Sequence, residues 1–215
     1  LHWDGADWLT VTSPTSQSLE CVSMRPASNG TEGWIGGDSA TLLVWDNAAW
    51  RLQPIELGDN HVLTGCAANS SEVFFALPRG SKMGVLNELG FHSLELERDI
   101  WGNYAQPGEW INNIKLYGDY DGWAVGAYGL IKRYDGYLWI TQDSPLLNQE
   151  SAFVSLEVVP GTEGNFVWFV GAGGLVMYQV DNVFSEPWSI AEGAFYEVSF
   201  SDSNNGWAVG TEGLL

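Results

Sequence analysis

The stretch GWAVGAYGLIKRYDGYLW, from Gly122 to Trp139, decides the fold. It places a short apolar run before a Gly, an alternating run after it, then Asp-Gly and a Trp. Asp-Gly between two apolar runs is a hairpin signal, because Gly accepts positive φ and Asp bonds its own backbone. The leading element recurs as GWIGG (Gly33 to Gly37), VFFAL (Val73 to Leu77), VWFVG (Val167 to Gly171) and GWAVG (Gly206 to Gly210). The second residues stand at 34, 74, 123, 168 and 207, so the steps are 40, 49, 45 and 39. A period of roughly 40 to 50 residues is that of one four-stranded propeller blade.

Each unit reads as four strands. An apolar strand comes first (LECVSM, VLTGCAA, INNIKLY, FVSLEVV, FYEVSF), and the Gly-Trp element is the second. Runs such as LLVW and LIKRY are the third, and WLTVT, WRLQPI and WITQD the fourth. Helical periodicity is absent. Gly122 and Trp139 stand 17 positions apart, and so do Gly33 and Trp50. The last copy stops nine residues after Gly206, and Trp8 lies near the start. Setting Leu1 directly after Leu215 restores the spacing of 17. We therefore expect an all-β chain, one domain over residues 1–215. It is a five-bladed β-propeller of four-stranded antiparallel blades, closed by N- and C-terminal strands that share one blade. The alternative is part of a six- to eight-bladed ring, which has the same register.

The residues GWAVGAYGLIKRYDGYLWITQDSP resemble the bacterial repeat of BNR-like and photosystem-assembly-factor-like (Ycf48-like) propellers, and GWAVGTEGLL with LHWDGADWLTVTSP is similar. The resemblance implies scaffolding, assembly or ligand binding, usually without catalysis. The second repeat is degenerate, as is the Asp-Gly turn of the fourth. The full Asp-box is not met, because Asp135 and Gly136 are adjacent. A sialidase also needs an arginine cluster, and Arg25, Arg51, Arg79, Arg98 and Arg133 stand in unrelated settings.

Composition narrows the partners. With 8 Lys plus Arg against 27 Asp plus Glu, the formal charge is −19. That field repels nucleic acid and anionic membrane surfaces. No apolar run is long enough to span a membrane. The start at Leu1 without Met leads us to expect a longer gene product.

No catalytic set stands out, so the expectation is a non-catalytic module with no cofactor. His2, His61 and His92 have no metal-ligand spacing. GDYDGW (Gly118 to Trp123) lacks the closing Glu of a calcium loop and reads as a solvated turn. A glycoside hydrolase needs two opposed carboxylates, and among 27 acids such a pair means little. The segment ERDIWGNYAQPGEWINN is longer than its counterparts. Trp101, Asn103, Tyr104 and Trp110 there form the candidate recognition patch, with aromatic faces beside amides. The expected partner is a protein or a glycan, met outside the cell or at its surface. A small lectin and a subunit of a surface-layer or filament assembly are alternatives. Asn29 and Asn69 match the glycosylation sequon. Cys21 and Cys66 fall in innermost strands of neighbouring repeats. Free thiols packed as small hydrophobes are the default reading, and a bridge the alternative.

Overall fold

The computed structural model describes residues 1–28, 30–57, 61–77, 82–95, 110–161, 164–190 and 192–215. The chain folds into antiparallel sheets in sequence order. First comes a hairpin of β1 (His2–Trp3) and β2 (Trp8–Leu9). Blade B holds β3 (Leu19–Ala27), β4 (Gly30–Gly37), β5 (Leu42–Trp45) and β6 (Trp50–Leu52). Blade C holds β7 (Cys66–Ala68), β8 (Val73–Ala76), β9 (Lys82–Asn87) and β10 (Gly90–Glu95). Blade D holds β11 (Ile111–Leu116), β12 (Gly122–Gly126), β13 (Ile131–Tyr134) and β14 (Trp139–Thr141). Blade E holds β15 (Phe153–Gly161), β16 (Gly164–Gly171) and β17 (Leu175–Val180), with an outer strand split into β18 (Val183–Phe184) and β19 (Trp188–Ser189). The last sheet, F, is only β20 (Phe195–Asp202) and β21 (Asn205–Gly210).

The final Gly of the repeat has a steric reason. A Cβ at Gly37, Gly126, Gly171 or Gly210 would stand well under 3.0 Å from the carbonyl oxygen of Ser18, Trp110, Ala152 or Ala194. Each of these carbonyls ends the segment that enters a blade. Each also accepts the N–H just after the Gly: Asp38, Ala127, Ala172 and Thr211, at 3.0, 2.9, 3.0 and 3.0 Å. Gly171 and Gly210 have extended φ, so close backbone approach selects the residue, not a left-handed conformation. The same register follows in four sheets: Leu19↔Gly37, Ile111↔Gly126, Phe153↔Gly171 and Phe195↔Gly210, each followed by a bulge.

The outer hairpins have their own recurrent lock. The Oδ1 of Asp46 accepts the N–H groups of Ala48 and Ala49, and Asp135 does the same for Tyr137 and Leu138. Asp4 repeats it with Ala6 and Asp7. These N–H groups favour the carboxylate and hold all three acids below their usual range. For Asp46 the Ala49 N–H leads, the Arg51 guanidinium adds to it, and the value falls to about 2.

The core lies between blades. Four apolar clusters fill the described residues: between B and C around Trp34 and Phe75, and between C and D around Phe74 and Trp139. The third lies between D and E around Trp123 and Phe169, and the fourth between E and F around Val170 and Val198. One position of the expected alternation turns inward against its charge. Lys132 is buried and donates to the Thr141 hydroxyl (2.7 Å).

The expected shared blade is not formed. β1–β2 and β20–β21 are two separate sheets, and no fifth cluster joins F to B among the described residues. The residue of the first strand that faces the preceding blade shows the consequence. Ile114, Leu156 and Val198 are 2%, 0% and 4% exposed, whereas Val22 of blade B is 62% exposed. On the opposite flank, Trp34 and Trp123 are 6% and 3% exposed, but Trp207 of F is 69%. The nine residues between β2 and β3 hold the hairpin beside blade B. Whether β20–β21 reaches it depends on the angle between successive sheets, and repeat spacing does not encode that angle. The arc is open.

The cysteines depart from the free-thiol reading. Cys21 of β3 and Cys66 of β7 are bridged, with Cα atoms 5.7 Å apart, so the disulfide staples blade B to blade C.

The steric account of the repeat predicts that Gly126→Ala costs about 1–3 kcal/mol, since the Trp110 carbonyl is backbone and must shift. Urea unfolding measures it, and an unchanged midpoint would contradict the account.

Candidate functional site

Antiparallel order puts the β11–β12 and β13–β14 turns on one rim and the connections between blades on the other. Of the expected recognition segment, residues 97–109 fall outside the described residues, Trp101, Asn103 and Tyr104 among them. Trp110 is exposed at the entry to β11, its carbonyl held against Gly126 and Ala127. Asn29 also falls outside the described residues. Asn69, the other sequon asparagine, lies just before the β7–β8 turn. It is buried, and its Oδ1 accepts the N–H groups of Ser71 (2.9 Å) and Glu72 (2.7 Å). The Asn69 carbonyl oxygen is the lock of the β7–β8 turn.

The turn rim carries a denser set. On its inner side, three consecutive first strands contribute one polar network. Lys115 of β11 places its ammonium 2.9 Å from Glu157 of β15 and 3.3 Å from Glu197 of β20. The Tyr117 hydroxyl donates to Glu157 (3.0 Å) and accepts the Val158 N–H (2.9 Å). The Ser155 hydroxyl donates to Glu197 (2.7 Å). Burial pushes the Tyr117 phenol up and the Glu157 carboxylate reinforces it, while the Val158 N–H opposes them. The phenol therefore stays a neutral donor. Both oxygens of Glu157 are engaged, one by Lys115 and one by Tyr117. The network joins blades D, E and F with one ammonium between two carboxylates.

Outside it, the turns of blade D present aromatic surface. Tyr120, Tyr137 and Leu138 are exposed. The Tyr120 ring lies over Gly136, where a Cβ would collide with it, so the two turns support one another. Asp119 accepts the Ser70 N–H of blade C (2.7 Å), and Arg133 donates to Asn182 of blade E (3.1 Å). Arg133 also lies 3.5 Å from Asp121 and over the Trp123 ring at 5.5 Å. Further out, the Tyr134 hydroxyl donates to the Gly136 carbonyl (2.9 Å) and sits 3.3 Å from Glu72. Burial first, then the Glu72 carboxylate, pushes that phenol up to about 12. These cross-blade contacts fix the turns that carry Tyr120 and Tyr137. Rigid amphipathic aromatics on clasped turns suit recognition, because little side-chain freedom is lost on binding. Sequence reasoning missed this site. In GDYDGW it weighed the acids for calcium and passed over Tyr120 between them.

No protein-family profile matches the chain, and no curated protein does. Solved structures do. Ycf48 bound to D1 peptide aligns with a TM-score of 0.66 at 14% identity, covering 97% of this chain and 65% of that one. Ycf48 from Cyanidioschyzon merolae gives 0.69 at 14% identity, with 97% and 69% covered. Virginiamycin B lyase from Staphylococcus aureus gives 0.68 at 15% identity, with 91% and 64% covered. The chain thus spans about two thirds of the length of the propellers it matches. At these identities the likeness is one of fold, and one fold hosts many activities.

The network account predicts that Tyr117→Phe, which leaves the Val158 N–H without its acceptor, lowers unfolding stability by about 1–3 kcal/mol. A urea midpoint equal to the parent's would show that the hydroxyl does not clasp blade D to blade E. The chain is a β-propeller arc whose sheets resemble those of Ycf48 and other propellers in structure.

Proposed function

We propose that this chain is a non-catalytic scaffold that recognises a polypeptide partner, outside the cell or at its surface, through the turn rim of blade D. The observation that carries this reading is the pair Tyr120 and Tyr137, exposed on packed turns of a blade that is bonded to both neighbours, to C through Asp119 and to E through Arg133. Aromatic side chains held on a rigid base are typical anchors of protein contacts. The likeness of fold to a Ycf48 structure that holds a peptide supports a protein partner. The Cys21–Cys66 bridge supports an oxidising compartment. The acid excess favours partners with basic or neutral surfaces.

A glycan partner is the second reading. It is favoured by the exposed Trp110 on the connection rim, at the end of the segment with Trp101, Asn103 and Tyr104.

A displayed random-peptide library and a glycan array, each probed with the folded chain, separate the two. The peptide reading predicts selected peptides whose affinity falls at least about tenfold in a Tyr120→Ala/Tyr137→Ala variant. Glycan hits that are lost in Trp110→Ala, with no peptide selected, would overturn it.

A further inference from the structure

The chain holds arginine twice in the same way. Arg25 lies over the Trp34 ring at 4.9 Å, and Glu32 takes its guanidinium at 2.6 Å. Arg133 lies over the Trp123 ring at 5.5 Å, with Asp121 3.5 Å away. The ring face attracts the cation, and the carboxylate beside it neutralises the charge. In both places the acid stands two positions before the ring along the chain.

The turns of blade D repeat the combination without a base. Asp119 directly precedes Tyr120, and Asp135 stands two positions before Tyr137. Both rings are open, at 69% and 83% exposed. Oδ1 of Asp119 accepts the Ser70 N–H, and Oδ1 of Asp135 accepts the N–H groups of Tyr137 and Leu138. The second oxygen of each accepts no hydrogen bond among the described residues.

Neighbouring turns add acids of the same kind. Glu72 of blade C receives the Asn87 amide (3.3 Å) and lies 3.3 Å from the Tyr134 hydroxyl, which places it at the outer turn of blade D. Glu88 follows Asn87 in the outer turn of blade C. On the other flank Asn182 receives Arg133, which brings Asp181 of the blade E turn alongside. Glu88 and Asp181 are exposed. No ion pair engages Glu72, Glu88, Asp119, Asp135 or Asp181 among the described residues. The bases of this rim are engaged elsewhere: Arg25 by Glu32, Arg51 by Asp46, Lys115 by Glu157 and Glu197, and Arg133 by Asp121. Five uncompensated carboxylates therefore lie around two open rings.

We propose that this rim takes a basic polypeptide segment, whose arginine side chains stack on Tyr120 and Tyr137 and pair with the carboxylates beside them. The proposal rests on the polypeptide reading above and adds the chemistry of the partner. Arginine suits the site better than lysine, because its planar guanidinium stacks on a ring and still donates along its edge to a carboxylate. Charge pairs at an exposed rim are screened, so added salt weakens the contact.

A peptide of alternating Arg and Gly and its citrulline counterpart, which keeps the side-chain shape and loses the charge, test this by fluorescence anisotropy with the folded chain. Three variants are compared. Tyr120→Ala/Tyr137→Ala removes the rings. Glu88→Gln/Asp119→Asn/Asp181→Asn removes three charges from the rim and keeps the oxygen that accepts the Ser70 N–H. Glu56→Gln/Asp143→Asn/Glu150→Gln removes three charges from exposed positions on the connections between blades. The proposal predicts that the Arg peptide binds at least about tenfold more tightly than the citrulline peptide, and that salt erodes the difference. The first two variants each lose at least about tenfold, and the third less than about threefold. Equal losses in the second and third variants would overturn it, because the peptide would then sense the net charge of −19 and no site. Binding of neither peptide also overturns it, whereas the polypeptide reading falls only with the random-peptide selection. A citrulline peptide that binds as well as the Arg peptide, and is lost with the tyrosines, overturns the basic partner and leaves polypeptide recognition at the rim intact.

Discussion

The structure depends on one backbone contact. In blades B, D, E and F the carbonyl that ends the incoming segment docks on the last Gly of the Gly-Trp element, and the next N–H donates to it; blade C, with Leu77 in that place, pairs Thr64 and Gly65 with Ala76 instead. That contact pins the start of the first strand to the end of the second. It sets the register and forces the bulge that follows. The apolar residues of the first strand then face the preceding blade, as Ile114, Leu156 and Val198 do. The Trp of the second strand faces the following blade, as Trp34 and Trp123 do. Stacking follows, because neither face is buried until another sheet covers it. Glycine at these positions is a space requirement and not a flexibility requirement.

Blade-to-blade stacking explains why polar residues concentrate on the inner strands. A first strand has a neighbour on each side but no strand beyond it toward the centre. Lys115, Tyr117, Ser155, Glu157 and Glu197 use that position to tie three sheets together. Between blades B and C the same task falls to the Cys21–Cys66 bridge. Blade D sits in the middle of this system, joined to C through Asp119 and to E through Arg133. Its exposed tyrosines thus stand on a blade joined to both of its neighbours.

The sheets were legible in the sequence because the repeat carries its own steric logic. The degenerate second copy, VFFAL, still forms a full blade, since its apolar pattern fills the same inter-sheet space. Closure was not legible. A spacing of 17 residues across Leu215 and Leu1 states which strands could share a sheet. It says nothing of how far apart the sheets stand, which depends on the turning angle per blade. The disulfide was ambiguous for a related reason. Cys21 and Cys66 lie in adjacent first strands, but only the stacking brings their Cα atoms to 5.7 Å. Asn69 matched a sequon that any exposed turn could satisfy, and its side chain proved to be the lock of the turn. Tyr120 and Tyr137 carried no repeated signal, because they are specific to one blade.

The central claim is that the arc is open, with β21 bare along one edge. Amide hydrogen exchange of the chain at low concentration tests it most directly. The open arc predicts that residues 205–210 exchange much faster than residues 122–126, whose strand is paired on both sides. Equal protection of the two segments in the isolated monomer would mean that β21 has a partner within its own chain, and would contradict the account.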